Sequence, residues 1–225
     1  MCTAQSASSD VAALIDAHWR YGDGIIEEDE EAAVDLYHLP SGAARQFVGE
    51  RPSAYGEVAP CGAPTLFDAL GLPLARGACF YDLGSGSGRL VANVWLSHRS
   101  DAVARAVGVE LAPSRHAAAT RAWASLAASG SPLLGERRAP PHFRCESMLE
   151  TDLSDATHVY VASLCMGDGL LDALWARLRE GAPRLARVAS LREFRGVPAT
   201  QTVEVQMTWN RDAGAGTPVY LYDVN

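Results

Sequence analysis

The chain has 225 residues, 48% of them hydrophobic and 20% charged, which is enough to bury one full α/β core. Its 19 basic residues face 27 acidic ones, and the net charge of −8 argues against a broad nucleic-acid-binding face. Five widely spaced cysteines without a C-x-x-C pair predict reduced intracellular thiols, neither a disulfide framework nor a metal site. No apolar run is long enough to span a membrane and no signal peptide is evident, so we expect an intracellular protein, cytoplasmic rather than nuclear.

The first part of the chain is predicted to be helical. Asp10 can cap a helix whose apolar face ends at Trp19. The acidic run 27–31 leads into a second helical pattern, where negative charge suits the helix dipole; binding of a basic substrate is the alternative interpretation of that run. We therefore predict an N-terminal helical extension over residues 1–52, followed by a main domain over 53–225.

The stretch from Tyr81 to Leu96, YDLGSGSGRLVANVWL, carries the strongest local signal. A short β-prone run ends in Asp82, glycines follow at every second position, and a helical pattern then begins. This order predicts a strand, a tight turn and a helix N-terminus. In such a turn the glycines let the backbone approach a ligand, and free N–H groups of the helix face it. A glycine-rich turn that binds nothing is the alternative.

The residues around the glycines indicate which ligand. The dinucleotide fingerprint G-x-G-x-x-G fails, because Arg89 stands where its third glycine is needed. Asp82 would repel a pyrophosphate but suits a ligand with a cationic amino group. The motif D-L-G-S-G-x-G resembles the first motif of the S-adenosylmethionine (SAM)-dependent methyltransferases with a doubly wound sheet. The resemblance implies that Asp82 meets the amino group at the methionine end of SAM. The loop residues implied to bind this cofactor are Gly84, Ser85, Gly86 and Gly88.

Acidic residues also follow the next two predicted strands. The segment 104–111 is typical of a strand and includes Glu110, 28 residues after Asp82 (110 − 82). An acid at this strand end can accept both hydroxyl groups of a ribose, and a strand-end glutamate without a ligand is the alternative. We place Leu111 in the same site. After a third strand over 142–145, the resemblance implies that Glu146 hydrogen-bonds the adenine amino group, with Ser147 beside it.

A finer resemblance rests on the sequence Y-G-E at Tyr55 to Glu57, one helix before the glycine motif. It is similar to the non-SET histone lysine methyltransferases of the disruptor-of-telomeric-silencing family, and the similarity extends from Tyr55 to the C-terminus. The resemblance implies that Glu57 contacts SAM and that Tyr55 forms a wall of the site. The family carries Asn-Asn-Phe at 162–164, where Ser163 here retains one short polar group near the acceptor.

The end of the chain resembles the hairpin W-x-G-x-P-V-x-Y-Y of the same family. Residues 202–209 and 218–224 are predicted to form an antiparallel hairpin. In the family its aromatic residues shape the channel through which lysine reaches the methyl group, which implies a role for Trp209. Inserted residues leave Tyr220 and Tyr222 competing for the channel position. Core packing is the alternative for aromatic residues on a terminal hairpin.

These patterns predict an α/β protein with a doubly wound, seven-stranded Rossmann-like sheet whose last strand is antiparallel. We expect a SAM-dependent methyltransferase domain over 53–225, with Ser163, Trp209, Tyr220 and Tyr222 as the catalytic set and without a metal. The resemblance favours a protein lysine N-methyltransferase. The alternatives are a small-molecule or non-histone methyltransferase on the same scaffold and a catalytically silent SAM-binding protein. The expected partner is a protein or small amine acceptor, without strong nucleic-acid binding and without a membrane.

Overall fold

The computed structural model describes residues 3–20, 56–135, 139–210 and 214–224. Its helices are α1 (Thr3–His18), α2 (Ala63–Leu70), α3 (Arg89–Ser97), α4 (Pro113–Ala128) and α5 (Asp168–Gly181). Its strands are β1 (Ala78–Leu83), β2 (Val103–Glu110), β3 (His142–Cys145), β4 (His158–Val161), β5 (Arg187–Ser190), β6 (Gln201–Val205) and β7 (Thr217–Asp223). Short 3-10 turns lie at Leu72–Leu74, Pro132–Leu134 and Ser163–Cys165.

The seven strands form one sheet in the order β3-β2-β1-β4-β5-β7-β6. Strands β1 to β5 pair in parallel, whereas β7 runs antiparallel to both β5 and β6. This arrangement confirms the predicted doubly wound sheet with an antiparallel last strand. The chain leaves β1 toward β2 on one side and later returns to β4 on the other. Ligands of such sheets bind at this point, beyond the carboxyl ends of the strands.

Strand β1 is buried along its whole length because helices cover both faces of the sheet. Phe80 packs with α2 and α3 in one core cluster, and its neighbour Tyr81 packs with α5 in a second cluster on the other face. Side chains alternate between the faces of a strand, so Asp82 lies on the same side as Phe80. The cluster that contains Phe80 therefore borders the space beyond β1.

The turn from β1 to α3 depends on glycine backbone conformations. Gly84 and Gly86 have φ angles of +87° and +53°, and Gly88, which precedes α3, has +75°. A Cβ atom at Gly88 would lie 2.4 Å from Cε1 of Phe143 on β3. Gly84 and Gly86 thus need glycine for backbone conformation, and Gly88 needs it for both backbone conformation and helix–strand packing.

Helix α1 is the described part of the predicted N-terminal extension. Val11, Ile15 and Trp19 recur every fourth residue and pack against residues of α3 and α4 in a third buried cluster. The acidic run 27–31 lies outside the described residues, and the division at residue 52 stays a prediction. In the ranges that the structure describes, no helix is both long and apolar enough to cross a membrane.

Candidate functional site

A pocket lies beyond the carboxyl ends of β1 and β4, where the strand order reverses. It encloses about 370 Å³, counted to its open mouth. Five residues predicted to bind the cofactor line it: Glu57, Asp82, Gly84, Ser85 and Gly86. The remaining lining residues are Gly56, Val58, Arg89, Leu90, Tyr160 and Ala162. The structure therefore brings Gly56 and Glu57 of the Y-G-E sequence and the glycine motif together around one cavity.

Asp82 forms the acidic wall of this pocket. Its side chain is only 3% exposed, and its Oδ1 atom has no hydrogen-bond partner among the described residues. Burial, and then the neighbouring charges of Glu110 and Glu57, raise the pKa of Asp82 well above its usual value. A buried carboxylate without a partner is unfavourable unless a ligand provides a donor or a positive charge. The site is therefore suited to a cationic group at Asp82.

Glu110 is held in place by two backbone groups on either side of it. The Gly86 N–H donates to Oε2 and the Ala112 N–H donates to Oε1, each at 2.8 Å. A carboxylate has about four acceptor positions, so these two bonds leave positions for two further donors. The bond from Gly86 also ties the end of β2 to the glycine loop. The assignment of Glu110 and the adjacent Leu111 to a ribose stays a prediction.

Glu57 and Arg89 form the charged pair of the pocket. The Ser87 hydroxyl donates to Oε1 of Glu57 at 2.6 Å, and the Arg89 guanidinium donates to Oε2 at 3.3 Å. Arg89 is 9% exposed and also forms an ion pair with Asp16 of α1. Sequence reasoning used Arg89 only to exclude a dinucleotide and missed it as a site residue. Its position one residue after the last glycine, at the start of α3, is the signal that points to it.

The terminal hairpin holds the Y-G-E loop against the pocket. Thr208 accepts a hydrogen bond from the Glu57 N–H through its hydroxyl at 3.0 Å, and its own N–H donates to the Glu57 carbonyl at 2.9 Å. The Ala59 N–H donates to the Gln206 carbonyl at 2.9 Å. Strand β6 ends at Val205, earlier than the predicted strand over 202–209, and the residues that follow it pair with 57–59.

Trp209 lies at the rim of the pocket. A Cβ atom at Gly56 would be 2.3 Å from the Trp209 ring, so this ring packs directly on a lining residue. The indole N–H donates to the Thr217 hydroxyl at 3.0 Å, and the side chain remains 39% exposed. Trp209 is therefore available at the mouth of the pocket. Tyr55, the predicted wall, lies outside the described residues.

The two tyrosines of β7 lie on the other face of the sheet. Tyr222 is 2% exposed, packs against the rings of Trp175 and Phe194, and accepts a hydrogen bond from the Phe194 N–H at 3.1 Å. Tyr220 packs against the same cluster, whereas the pocket residue Tyr160 belongs to the opposite one. The ring and hydroxyl of Tyr222 thus belong to the core, and the catalytic roles of Tyr220 and Tyr222 stay predictions.

Ser163 is also turned inward. It is fully buried, its hydroxyl accepts a hydrogen bond from the Arg192 N–H at 2.8 Å, and it exchanges another with the Ser190 hydroxyl at 2.8 Å. The preceding Ala162 lines the pocket, and the following Leu164 is 45% exposed. These contacts give Ser163 a part in holding the ends of β4 and β5, and its catalytic role stays a prediction.

The predicted adenine residues follow β3. The Glu146 N–H donates to the Glu110 carbonyl at 3.1 Å, which places the two acids side by side. The Glu146 carboxylate accepts hydrogen bonds from Thr151 at 2.9 Å and from Arg144 at 3.4 Å. The Ser147 hydroxyl accepts one from the Leu149 N–H at 3.2 Å. The contact of Glu146 and Ser147 with adenine stays a prediction.

Comparison with known proteins identifies the fold. No family model matches the sequence, and no curated protein matches it either. Among solved structures, an RNA methyltransferase from Salinibacter ruber in complex with S-adenosylhomocysteine is similar, with a TM-score of 0.52 and 24% identity over 72% of this chain and 90% of that one.

Two further structures share the fold. Magnesium protoporphyrin IX methyltransferase from Synechocystis PCC 6803, with bound SAM, matches with a TM-score of 0.51 and 14% identity over 89% of this chain and 99% of that one. A tRNA methyltransferase from B. subtilis matches with a TM-score of 0.50 and 15% identity over 73% of this chain and 65% of that one. The chain thus has the fold of the class I SAM-dependent methyltransferases. None of these three neighbours is described as a histone lysine enzyme.

Proposed function

We propose that this chain is a SAM-dependent methyltransferase. The observation that carries the proposal is the buried Asp82 carboxylate, which lies in the pocket beside the glycine loop without a partner for Oδ1 among the described residues. SAM carries an ammonium group at one end and two ribose hydroxyls near its middle. Asp82 suits the first group, and Glu110, joined to the same loop through Gly86, suits the second.

The described residues fit the rest of this cofactor. Arg89 is a cation on the pocket wall and suits the carboxylate of the methionine end. Leu111, Glu146 and Ser147 follow β2 and β3 and are assigned to the adenosine end. When bound, SAM supplies an electrophilic methyl group on a sulfonium. The contribution of the protein is to orient the cofactor and the acceptor and to exclude water from the space between them.

The acceptor is proposed to be a small molecule or a protein other than a histone. Trp209 packs on the lining residue Gly56 and remains 39% exposed, and Leu164, two residues after the lining residue Ala162, is 45% exposed. Such apolar surface suits the flat or apolar part of a small acceptor. The fold neighbours named above include enzymes named for RNA, tRNA and a porphyrin, which supports an acceptor outside the histone class.

Protein lysine methylation is the second candidate, because Trp209, to which the hairpin resemblance gives a part in the lysine channel, packs on Gly56 of the Y-G-E sequence. Against it, Tyr222 and Ser163 are both buried in contacts of their own. The narrow aromatic channel of that family would therefore have to be built from other residues.

The experiment is a two-stage assay of the full chain. Calorimetry first measures binding of SAM and NAD; we expect SAM to bind and NAD to bind more weakly or not at all. Labelled SAM is then offered with pooled metabolites, lysate protein, RNA and nucleosomes, with Asp82→Asn as the inactive control. Label in the metabolite fraction, or on lysate protein as a product other than methyl-lysine, supports the proposal. NAD binding tighter than SAM would overturn the cofactor assignment, and label confined to RNA or nucleosomes would overturn the acceptor class.

A further inference from the structure

Helix α1 and Trp19, the residue that follows it, contact the glycine loop and the first residue of α3. The indole N–H of Trp19 donates to the Ser87 carbonyl at 2.7 Å, and this side chain is only 1% exposed. Asp16 forms an ion pair with Arg89. Ser87 in turn donates to Glu57, so both contacts lead to residues of the pocket wall or to their direct partners. An element far from the glycine motif in sequence therefore reaches the cofactor site.

Core packing fixes the position of these contacts. Val11, Ile15 and Trp19 are buried against Ala92 of α3 and against residues of α4. This apolar stripe of Val11, Ile15 and Trp19 determines which side of α1 packs on α3 and α4. Asp16, next to Ile15, is thereby placed above Arg89. Asp16 remains 56% exposed, whereas the side chain of Arg89 is only 10% exposed. The helix thus brings a partly solvated carboxylate to a largely buried guanidinium.

The ion pair between Asp16 and Arg89 bears on the electrostatics of the pocket. Asp82 and Arg89 both line the cavity, and an ionised Asp82 attracts a guanidinium strongly at low dielectric constant. Nevertheless, no ion pair joins them among the described residues, and Oδ1 of Asp82 is left without a partner there. Arg89 is instead held by Asp16 and Glu57. Asp16 contacts Nη2 of Arg89 and Glu57 contacts Nη1, so both terminal nitrogens of the guanidinium already have a carboxylate partner.

We propose, building on the function proposed above, that α1 is a positioning element of the cofactor site. Asp16 holds the Arg89 guanidinium away from Asp82, so that Asp82 remains open to the ammonium group of the ligand and Arg89 to its carboxylate. Without Asp16, Arg89 loses one carboxylate partner and turns to Asp82. The resulting pair blocks the end of the site that binds the amino acid part of the ligand and leaves the adenosine end unchanged.

The test compares two ligands and two matched variants. S-adenosylhomocysteine carries the amino acid end, and 5′-methylthioadenosine has the same nucleoside without it. Asp16→Ala removes the carboxylate without lowering helix propensity. Asp10→Ala makes the same change at another exposed position inside α1, which begins at Thr3 and therefore does not use Asp10 as the predicted cap. Calorimetry gives the Kd of each ligand for each variant, and a melting curve gives the stability of each unliganded protein.

We expect Asp16→Ala to raise the Kd for S-adenosylhomocysteine by about tenfold or more, as the loss of one charge-assisted hydrogen bond predicts. The Kd for 5′-methylthioadenosine should stay within about twofold of the wild-type value, and Asp10→Ala should change neither. Equal weakening of both ligands, or no change in either, would overturn the positioning role, because a merely structural helix gives one of those results. A wild-type chain that binds neither ligand would instead overturn the proposed cofactor.

Discussion

At the scale of single residues, the buried Asp82 carboxylate lowers the stability of the unliganded protein and is suited to bind a cationic ligand group. Its carboxylate is buried beside two other acids, and its pKa in the folded chain is raised well above the unfolded value of about 4. The native state therefore binds a proton more tightly than the unfolded state does. Stability falls as the pH rises from about 4 toward the raised pKa, and the full loss is present above that pKa.

Asp82→Asn should therefore stabilise the unliganded protein at pH 8. We expect a gain of roughly 1–3 kcal/mol from removing an unpaired buried charge, or about 2–4 °C in Tm per kcal/mol for a chain of this size. The difference should shrink as the pH falls toward 4. The same variant should lose at least about tenfold in affinity for S-adenosylhomocysteine. Melting curves across this pH range and calorimetry check both halves, and a variant less stable than wild type at pH 8 would contradict the account.

Glu110 gives a complementary prediction at the other end of the cofactor. Glu110→Gln removes the charge that we propose accepts the ribose hydroxyls, and it exchanges one of two acceptor oxygens for an amide nitrogen. Affinity should fall roughly ten- to a hundredfold for both S-adenosylhomocysteine and 5′-methylthioadenosine, since both contain the ribose. The exposed Glu150→Gln serves as the control. Unchanged affinity for 5′-methylthioadenosine would mean that the ribose binds elsewhere.

At the scale of elements, the turn between β1 and α3 is the most constrained connection. Gly88 and Gly130 both have positive φ angles, +75° and +67°, but only the first is crowded: the nearest atom to an added Cβ is 2.4 Å away at Gly88, whereas no described atom lies within 4 Å at Gly130. The two positions therefore share backbone strain and differ in packing.

Alanine variants at Gly88 and Gly130 allow the packing contribution to the free energy of unfolding to be measured. Gly130→Ala should cost about 1 kcal/mol, from backbone strain alone. Gly88→Ala should cost at least about 2 kcal/mol more, because Phe143 and Ala119 must move. Denaturant unfolding of both variants gives the difference directly. Equal costs would show that α3 shifts freely against β3, which would also undermine the rigid glycine loop on which the site depends.

The elements also show what the sequence could and could not reveal. The strand, glycines and helix of the central motif are local signals, and their resemblance to the SAM-dependent methyltransferases led to the doubly wound sheet. The antiparallel last strand was predicted separately, from the alternating segments 202–209 and 218–224. Alternation correctly puts Tyr220 and Tyr222 on one face of β7. However, Val219 and Leu221 on the other face are equally apolar. The alternation along β7 therefore does not indicate which face borders the pocket. That choice is made by contacts with α5, which are remote in sequence.

Arg89 and Asp16 were missed for the same physical reason. Each has an ordinary local explanation, as a helix-start arginine and as an exposed helical aspartate. Asp16 and Arg89 come into contact only because the apolar stripe of α1 packs on α3 and α4. The acids that end strands could be predicted, because strand ends meet at one edge of a parallel sheet. Side chains that reach the site from another layer could not.

At the scale of the whole molecule, charge limits the acceptor. The chain carries 19 arginines, no lysine and 27 acids. Affinity for nucleosomes rests largely on basic contacts to phosphate and decreases steeply with salt. We therefore expect weak, unproductive interaction with intact nucleosomes at physiological salt and better activity on a free protein or a small amine. A filter assay with labelled SAM tests this, and robust nucleosome methylation by this chain alone would restore the histone assignment.

The absence of lysine supplies an internal control for that assay. Label found on the enzyme itself cannot be on a lysine side chain. Amino acid analysis of a labelled acceptor protein therefore reports the specificity for lysine without interference from automethylation at that residue. If methyl-lysine is the main product in lysate proteins, protein lysine methylation displaces the small-molecule acceptor as the better proposal.

The pairing of residues 57–59 with 206–208 has a consequence for synthesis on the ribosome. The hydrogen bond from Glu57 to Thr208 joins groups 151 positions apart. A nascent chain therefore completes β1, the glycine loop and α3 long before the hairpin that secures the Y-G-E loop emerges from the exit tunnel. The hydrogen bonds that hold Glu57 can form only after that late segment has been synthesised. Ribosome-bound chains arrested before residue 206 should therefore bind far less cofactor than chains released after β7.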